Sequence, residues 1–318
     1  MAGKSEVYVL KEAAGIKESK RTREAHGVQD MDRNSVIVGW LLLALGFSAC
    51  SQSFAAASKG KILVVVSSAD HLTLKDNKTH PTGFFLNELG VPVKALADEF
   101  YEPVFASPSG KTPVMDEMSD NARYFDNEEQ EHQKIKSFVE GLPSFKHPRK
   151  LEEIAKEDLS QYAAIFVPGG HAPMEDLWRQ PALGKILGYF HKTGKPTALI
   201  CHGPIALLST MPNAAAVVKS VEDKSKAQPD NWPYKGYRMT VFSDAEEKPN
   251  EPGRLGGFMK FYPEDALRAA GADVNVSAPK QPHMVMDREL ITGQNPFSDN
   301  ELAQTLVTAV QVAQMKAK

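Results

Sequence analysis

Ala198-Leu199-Ile200-Cys201-His202-Gly203-Pro204 sets the reading of this chain. The apolar start has no polar alternation, which reads as a strand buried on both faces. Pro204 suits the first turn of a following helix. A strand that ends on a thiol and turns into a helix resembles the elbow that presents hydrolase nucleophiles. The helix N-terminus is expected to lower the pKa of Cys201. His202, next to it, is a candidate base or proton carrier. Buried packing is the plainer role for a lone cysteine.

A second strand end lies upstream, at Ile165-Phe166-Val167-Pro168-Gly169-Gly170-His171. Paired glycines after a strand bring backbone N–H groups close to a ligand. Other strand-like runs are Lys61–Ser67 and Tyr237–Phe242. Between them, Leu183, Ile186, Leu187 and Phe190 share one helical face over 182–191. Ser298 and Glu301 have capping-box spacing ahead of Leu302, Leu306 and Val310. Strands alternating with helices predict an α/β fold: a three-layer sandwich with a mostly parallel central sheet. Its ligands are expected beyond the carboxyl ends of the strands. Residues 108–160 and 211–236 interrupt the rhythm and are read as insertions at the sheet edge or the mouth of the site.

The 318 residues carry a formal net charge of −3 and two cysteines. That balance leaves no electrostatic footprint for nucleic acid. Two cysteines exclude a disulfide framework, and no Cys/His spacing marks a zinc site. Residues 1–57 are read as a leader. Ser35–Phe47 is a charge-free apolar run too short to span a bilayer comfortably, and it suits a signal-peptide h-region. Ala55-x-Ala57 is a candidate cleavage site, putting the mature start near Ser58. Phe47-Ser48-Ala49-Cys50 approximates a lipobox, with Cys50 as the lipid-bearing residue. Met31 is an alternative start, and an uncleaved anchor an alternative role. The expected location is therefore periplasmic or secreted, with membrane contact only through the leader or a lipid.

The two strand-end motifs together resemble the ThiJ/PfpI superfamily, with its flavodoxin-like, class I glutamine amidotransferase-like fold. Asp287–Pro296 is similar to the strand and turn before that family's last helix. The resemblance covers about residues 61–315 and is greatest to the glyoxalase III-like, heat-shock chaperone-like branch. It implies Cys201 as nucleophile and His202 as its neighbour in a triad. Thr82–Glu88 resembles the segment whose acid bonds the nucleophile, which gives that role to Glu88. Val241–Glu247 resembles the stretch supplying the acid that orients the histidine: Glu247, with Glu246 next. Gly169, Gly170 and His202 are assigned to substrate binding, the N–H groups of Gly170 and His202 forming an oxyanion hole.

The implied activity converts methylglyoxal to lactate without a cofactor, on a small 2-oxoaldehyde substrate, and the implied assembly is a homodimer. The alternatives are a thiol-dependent amidase, peptidase or protein deglycase, and a non-catalytic stress chaperone or redox sensor. No His-x-Glu occurs, which disfavours glutamine hydrolysis. The metal site of some chaperone-like members has no counterpart over Val91–Phe100, and His80 and His132 lack ligand spacing, so no metal is expected. His71, His147, His191 and His283 are read as surface or packing residues.

Overall fold

A computed structural model describes residues 58–316. The leader reading, with its h-region at 35–47 and the cleavage and lipid sites at Ala55-x-Ala57 and Cys50, lies outside the described residues. Within them no helix is long and apolar enough to cross a membrane.

Seven strands form one sheet: β1 (Gly60–Val65), β2 (Tyr101–Ser107), β3 (Arg149–Lys150), β4 (Tyr162–Val167), β5 (Thr197–Ile200), β6 (Met284–Asp287) and β7 (Leu290–Gly293). Their order is β6-β7-β5-β4-β1-β2-β3. All neighbours run parallel except the β6–β7 hairpin. From β1 the chain moves outward to β2 and β3, then returns to β4 on the other side of β1. That reversal opens a crevice beyond the carboxyl ends of β1 and β4, where ligands of open parallel sheets bind.

The buried strands carry no polar alternation because both faces are covered. Leu63, Val65, Ile165, Val167 and Leu199 point into one core. Ile62, Val64, Ala164, Phe166, Ala198 and Ile200 point into the other. The first core takes the apolar faces of α3 (Pro181–Thr193), α4 (Ala214–Glu222) and α5 (Pro263–Ala270). The second takes those of α1 (Leu86–Asp98), α2 (Glu129–Gly141) and α6 (Asp299–Lys316). The expected three-layer α/β sandwich is the observed one.

Several local expectations change. Of the strand expected over Tyr237–Phe242, only Arg238–Met239 forms one, and it pairs with Asp273–Val274 outside the main sheet. Ser298 does not head a capping box with Glu301. Its hydroxyl is instead engaged by Asn295 and by the backbone N–H of His283, as the third residue of an Asn295 box. In the segment 108–160, β3 pairs at the sheet edge, while Arg123 and Tyr124 line the cavity over Cys201. The segment 211–236 does not line the mouth. Trp232 and Tyr234 are buried in the first core, which their apolar bulk favours over a solvated loop.

Phe166 is fully buried at the centre of the sheet. Phe166→Ala is expected to lower the unfolding free energy by about 3–5 kcal/mol, through lost burial and a residual cavity. Urea denaturation of the two proteins measures it.

Candidate active site

Cys201 follows β5 directly and takes a left-handed backbone, with φ +59°. That conformation costs a non-glycine residue about 1–3 kcal/mol and persists only when its surroundings fix it. Two hydrogen bonds do so here. The Cys201 N–H donates to the Gly293 carbonyl at 2.8 Å, and the Cys201 carbonyl accepts from the Phe242 N–H at 2.9 Å. The end of β7 and the segment after Met239 thus clamp the elbow from two sides.

Gly169 and Gly170 close the other wall. A Cβ on Gly169 would sit 2.5 Å from both the Cys201 Cβ and a Glu88 carboxylate oxygen, so only glycine permits this approach. Gly170 has φ +83°, which suits a residue without a side chain. Its N–H lies near enough to the thiol and to Glu88 to favour negative charge on either.

Glu88 lies in the first turn of α1 and is fully buried. Neither of its oxygens has a partner in hydrogen-bond geometry. Burial pushes its pKa up to about 8, while the nearby Cys201 thiol and Gly170 N–H draw it back. At neutral pH this carboxyl therefore keeps its proton, in the dry surroundings that favour the neutral acid.

The thiol behaves differently from the sequence expectation. The following segment, Gly203–Thr210, is a 3-10 helix rather than an α-helix. Burial first, and then the charge and hydrogen bonding of Glu88, push the Cys201 pKa well above its ordinary value. Desolvation outweighs any terminal dipole here. The thiol needs a base to lose its proton, and His202 lies within reach of it.

The Cys201 Sγ lies 3.2 Å from His202 Nδ1. On the far side of the ring, Nε2 is 2.6 Å from Glu247 Oε2. Glu247 is held well below the usual carboxylate range: burial alone would raise it, but the two histidines prevail. An ionised carboxylate only accepts, so His202 Nε2 carries the proton and Nδ1 presents a lone pair to the thiol. Phe242 stacks on the His202 ring at 4.7 Å between centroids and fixes its plane.

Glu246 and Glu247 are adjacent but separate in role. Glu246 accepts from Ser243 Oγ, Gln294 Nε2, Asn295 Nδ2 and the Lys280 N–H, at 2.8, 2.8, 2.9 and 2.8 Å. It is spent on holding loops together. Glu247 alone reaches the histidine.

His171, quoted in the Gly-Gly motif but given no role by sequence, is the added member. Its Nε2 lies 3.0 Å from Glu247 Oε1, and its ring centroid 4.2 Å from that of His202. Burial works to lower its pKa, but Glu247 overrides and raises it. Burial, and then the positive charge of His171, lower the pKa of His202. The favoured state is a His171–Glu247 ion pair beside a neutral His202. His171, His202 and Glu247 form the one described group with donor atoms close enough to hold a metal ion, within 4.8 Å of one another. An ion there would have to displace the hydrogen bonds just described.

The other histidines lie elsewhere. His132 bonds Asp120 at 2.7 Å, His191 bonds Glu289 at 2.8 Å, His283 bonds Asn275 at 3.0 Å and His71 bonds Asp70 at 2.7 Å. His147 is exposed. His80 is half-buried and feels the charges of His171 and Glu247 without bonding either.

An acid with a raised folded pKa holds its proton more tightly in the native state. Its stabilising contribution is full below the unfolded value of about 4.5 and is lost as pH rises through about 8. Glu88→Gln, which cannot ionise, is therefore expected to gain stability relative to the wild type between about pH 5 and pH 8. Urea denaturation across that range checks it; parallel pH curves for the two proteins would contradict a buried neutral Glu88.

The DJ-1/PfpI family model matches residues 82–232, a span that includes Glu88, Gly169, Gly170, Cys201 and His202 but stops short of Glu247. The chain is 29% identical over 260 residues to the protein/nucleic acid deglycase HchA of Pseudomonas aeruginosa, covering 78% of this chain and 81% of that one. It is 28% identical over 254 residues to the same-named protein of Staphylococcus aureus, covering 78% and 79%. Among solved structures, glyoxalase III of Candida albicans superposes with a TM-score of 0.55 at 22% identity, covering 79% and 97%. The Rapid Encystment Protein of Francisella tularensis superposes with 0.59 at 23%, covering 79% and 99%. The sheet order, the elbow at Cys201 and these matches agree: the chain carries a DJ-1/PfpI family domain with the flavodoxin-like, class I glutamine amidotransferase-like fold.

Proposed function

We propose that this domain is a cofactor-independent thiol enzyme of the glyoxalase III type, acting on 2-oxoaldehydes. The observation that carries this reading is the buried Glu88 carboxyl beside the Cys201 sulfur, which lies 3.2 Å from His202 Nδ1 in the chain that ends at Glu247. Two proton carriers flank one sulfur, as an internal aldehyde-to-acid redox isomerisation requires.

The thiol proton passes to His202 Nδ1 as sulfur adds to the aldehyde carbon, giving a hemithioacetal. The N–H groups of Gly170 and His202 stabilise the oxyanion. The hydrogen on C1 leaves as a proton, forming an enediol, and a proton returns at C2. C1 is now a thioester and C2 a secondary alcohol: one carbon has been oxidised and its neighbour reduced. Water cleaves the thioester, restores the thiol and releases the 2-hydroxy acid. Methylglyoxal plus water thus gives lactate, with no external electron donor or acceptor.

A hydrolytic reading has its own support. Relatives that align over more than three quarters of this chain carry the name protein/nucleic acid deglycase, and the cavity, about 530 Å³, exceeds what a three-carbon aldehyde needs. In that case the same thiol attacks an aldehyde-derived adduct and releases an amine.

Purified residues 58–318 are expected to consume free methylglyoxal, with Cys201→Ala at background. Glu247→Gln is expected to lower kcat/KM by about 10²–10⁴-fold, and Glu246→Gln to act mainly on stability. Release of amine from a methylglyoxal-treated lysine peptide, with free methylglyoxal chemically trapped, would favour the deglycase. No turnover of either substrate rejects both. The leader adds that the enzyme works outside the cytoplasm, so N-terminal sequencing of exported protein is expected to start near Ser58. An unprocessed N-terminus contradicts export by cleavage.

A further inference from the structure

The cavity over Cys201 has a chemical asymmetry that a neutral three-carbon aldehyde would not use. Its volume, about 530 Å³, is that of a site for a larger ligand. Aromatic groups, including Phe85, Tyr124 and Phe297, form part of its wall. Three cations line it as well: Arg123, Arg254 and Lys280. Each is exposed at the surface.

None of these cations meets a carboxylate within salt-bridge distance among the described residues. Arg123 bonds the Tyr124 hydroxyl and lies over its ring, which orients the guanidinium but leaves its charge uncompensated. Nearby Lys248, in contrast, is paired with Asp244 at 2.7 Å. The acid lining the cavity is Glu246, and both its oxygens are taken by the four donors described above. The charge of Arg254 is felt as deep as His171, so the rim and the reacting centre share one field.

We propose that the cavity selects 2-oxoaldehydes, or their adducts, that carry an oxyanion several bonds from the reacting carbonyl, with Arg123, Arg254 and Lys280 receiving that group. The oxyanion is a carboxylate or a phosphate, since a guanidinium and an ammonium take either. This inference rests on the aldehyde reading for its chemistry but not for its binding. A carboxylate-bearing example is 4,5-dioxopentanoate. Adding water and passing through the same thioester, it gives 2-hydroxypentanedioate, with C5 oxidised and C4 reduced. Its neutral counterpart, 2-oxohexanal, gives 2-hydroxyhexanoate by the same balance.

Two measurements separate the two levels. In the first, Cys201→Ala protein is titrated by calorimetry with 2-hydroxypentanedioate and with 5-amino-2-hydroxy-5-oxopentanoate, the amide that lacks only the remote carboxylate. The acid is expected to bind about 10-fold tighter or better at low salt, and the preference to shrink as salt is added. In the second, kcat/KM is compared for 4,5-dioxopentanoate, for 3-phosphooxy-2-oxopropanal and for 2-oxohexanal. The anion-to-neutral ratio is expected to be about 10 or more for the wild type, and to fall toward 1 in the double variant Arg254→Met, Lys280→Met. The carboxylate and phosphate arms show which oxyanion the rim prefers. Equal binding of acid and amide, or a ratio near 1 in the wild type, overturns the proposal. If no aldehyde is turned over, the aldehyde reading fails, and the calorimetry alone still decides whether the rim receives an oxyanion.

Discussion

A carboxyl and a thiol share one dry corner of this protein, and much of the architecture around them serves that proximity. Glu88 and Cys201 are both cut off from water, and Glu88 raises the cost of ionising the thiol while the thiol draws the carboxyl pKa back down. At neutral pH each group therefore keeps its own proton, and the sulfur becomes reactive only when a base takes the thiol proton. Bringing the two together requires the end of β4 to pass between α1 and the elbow without side-chain bulk. That is why Gly169 stands there, and why its backbone, rather than a side chain, forms the wall.

The second constraint is the left-handed elbow itself. Cys201 is held there by partners distant in sequence, Phe242 and Gly293. The strained backbone aims the sulfur into the cavity and sets the His202 ring between sulfur and Glu247. His171 completes the arrangement by occupying the remaining side of the Glu247 carboxylate. With His171 charged, the carboxylate is neutralised, and His202 stays neutral and able to accept a proton. The histidine pair therefore sets the protonation state in which the thiol finds a base.

Much of this was legible in the chain. The polar-free runs at Lys61–Ser67, Ile165–Val167 and Ala198–Ile200 named the central strands, because a strand covered on both faces has no solvent side to mark. The Gly-Gly pair and the Cys-His elbow named the two strand ends that carry chemistry. Glu88 was found through its resemblance to a family segment, not through spacing, since no local pattern ties it to Cys201. Other features were illegible for physical reasons. Arg238–Met239 looks like part of a longer strand, but its pairing partner is Asp273–Val274, away from the main sheet. Trp232 and Tyr234, set among prolines in a segment read as an insertion at the sheet edge or the mouth of the site, are core, because burial of an aromatic depends on what packs over it. The lowered thiol pKa expected from a helix terminus failed, since burial is a property of the assembled fold.

The sequence by itself determined the α/β layering and which residue could be the nucleophile, because periodicity and residue chemistry are local. The tertiary structure alone decided which of two adjacent glutamates orients the histidine. Glu246 and Glu247 are chemically identical neighbours. One faces Gln294, Asn295 and the Lys280 backbone, and the other faces two imidazoles. A carboxylate takes its role from the donors that meet it, and those donors arrive from elements that only the fold brings together.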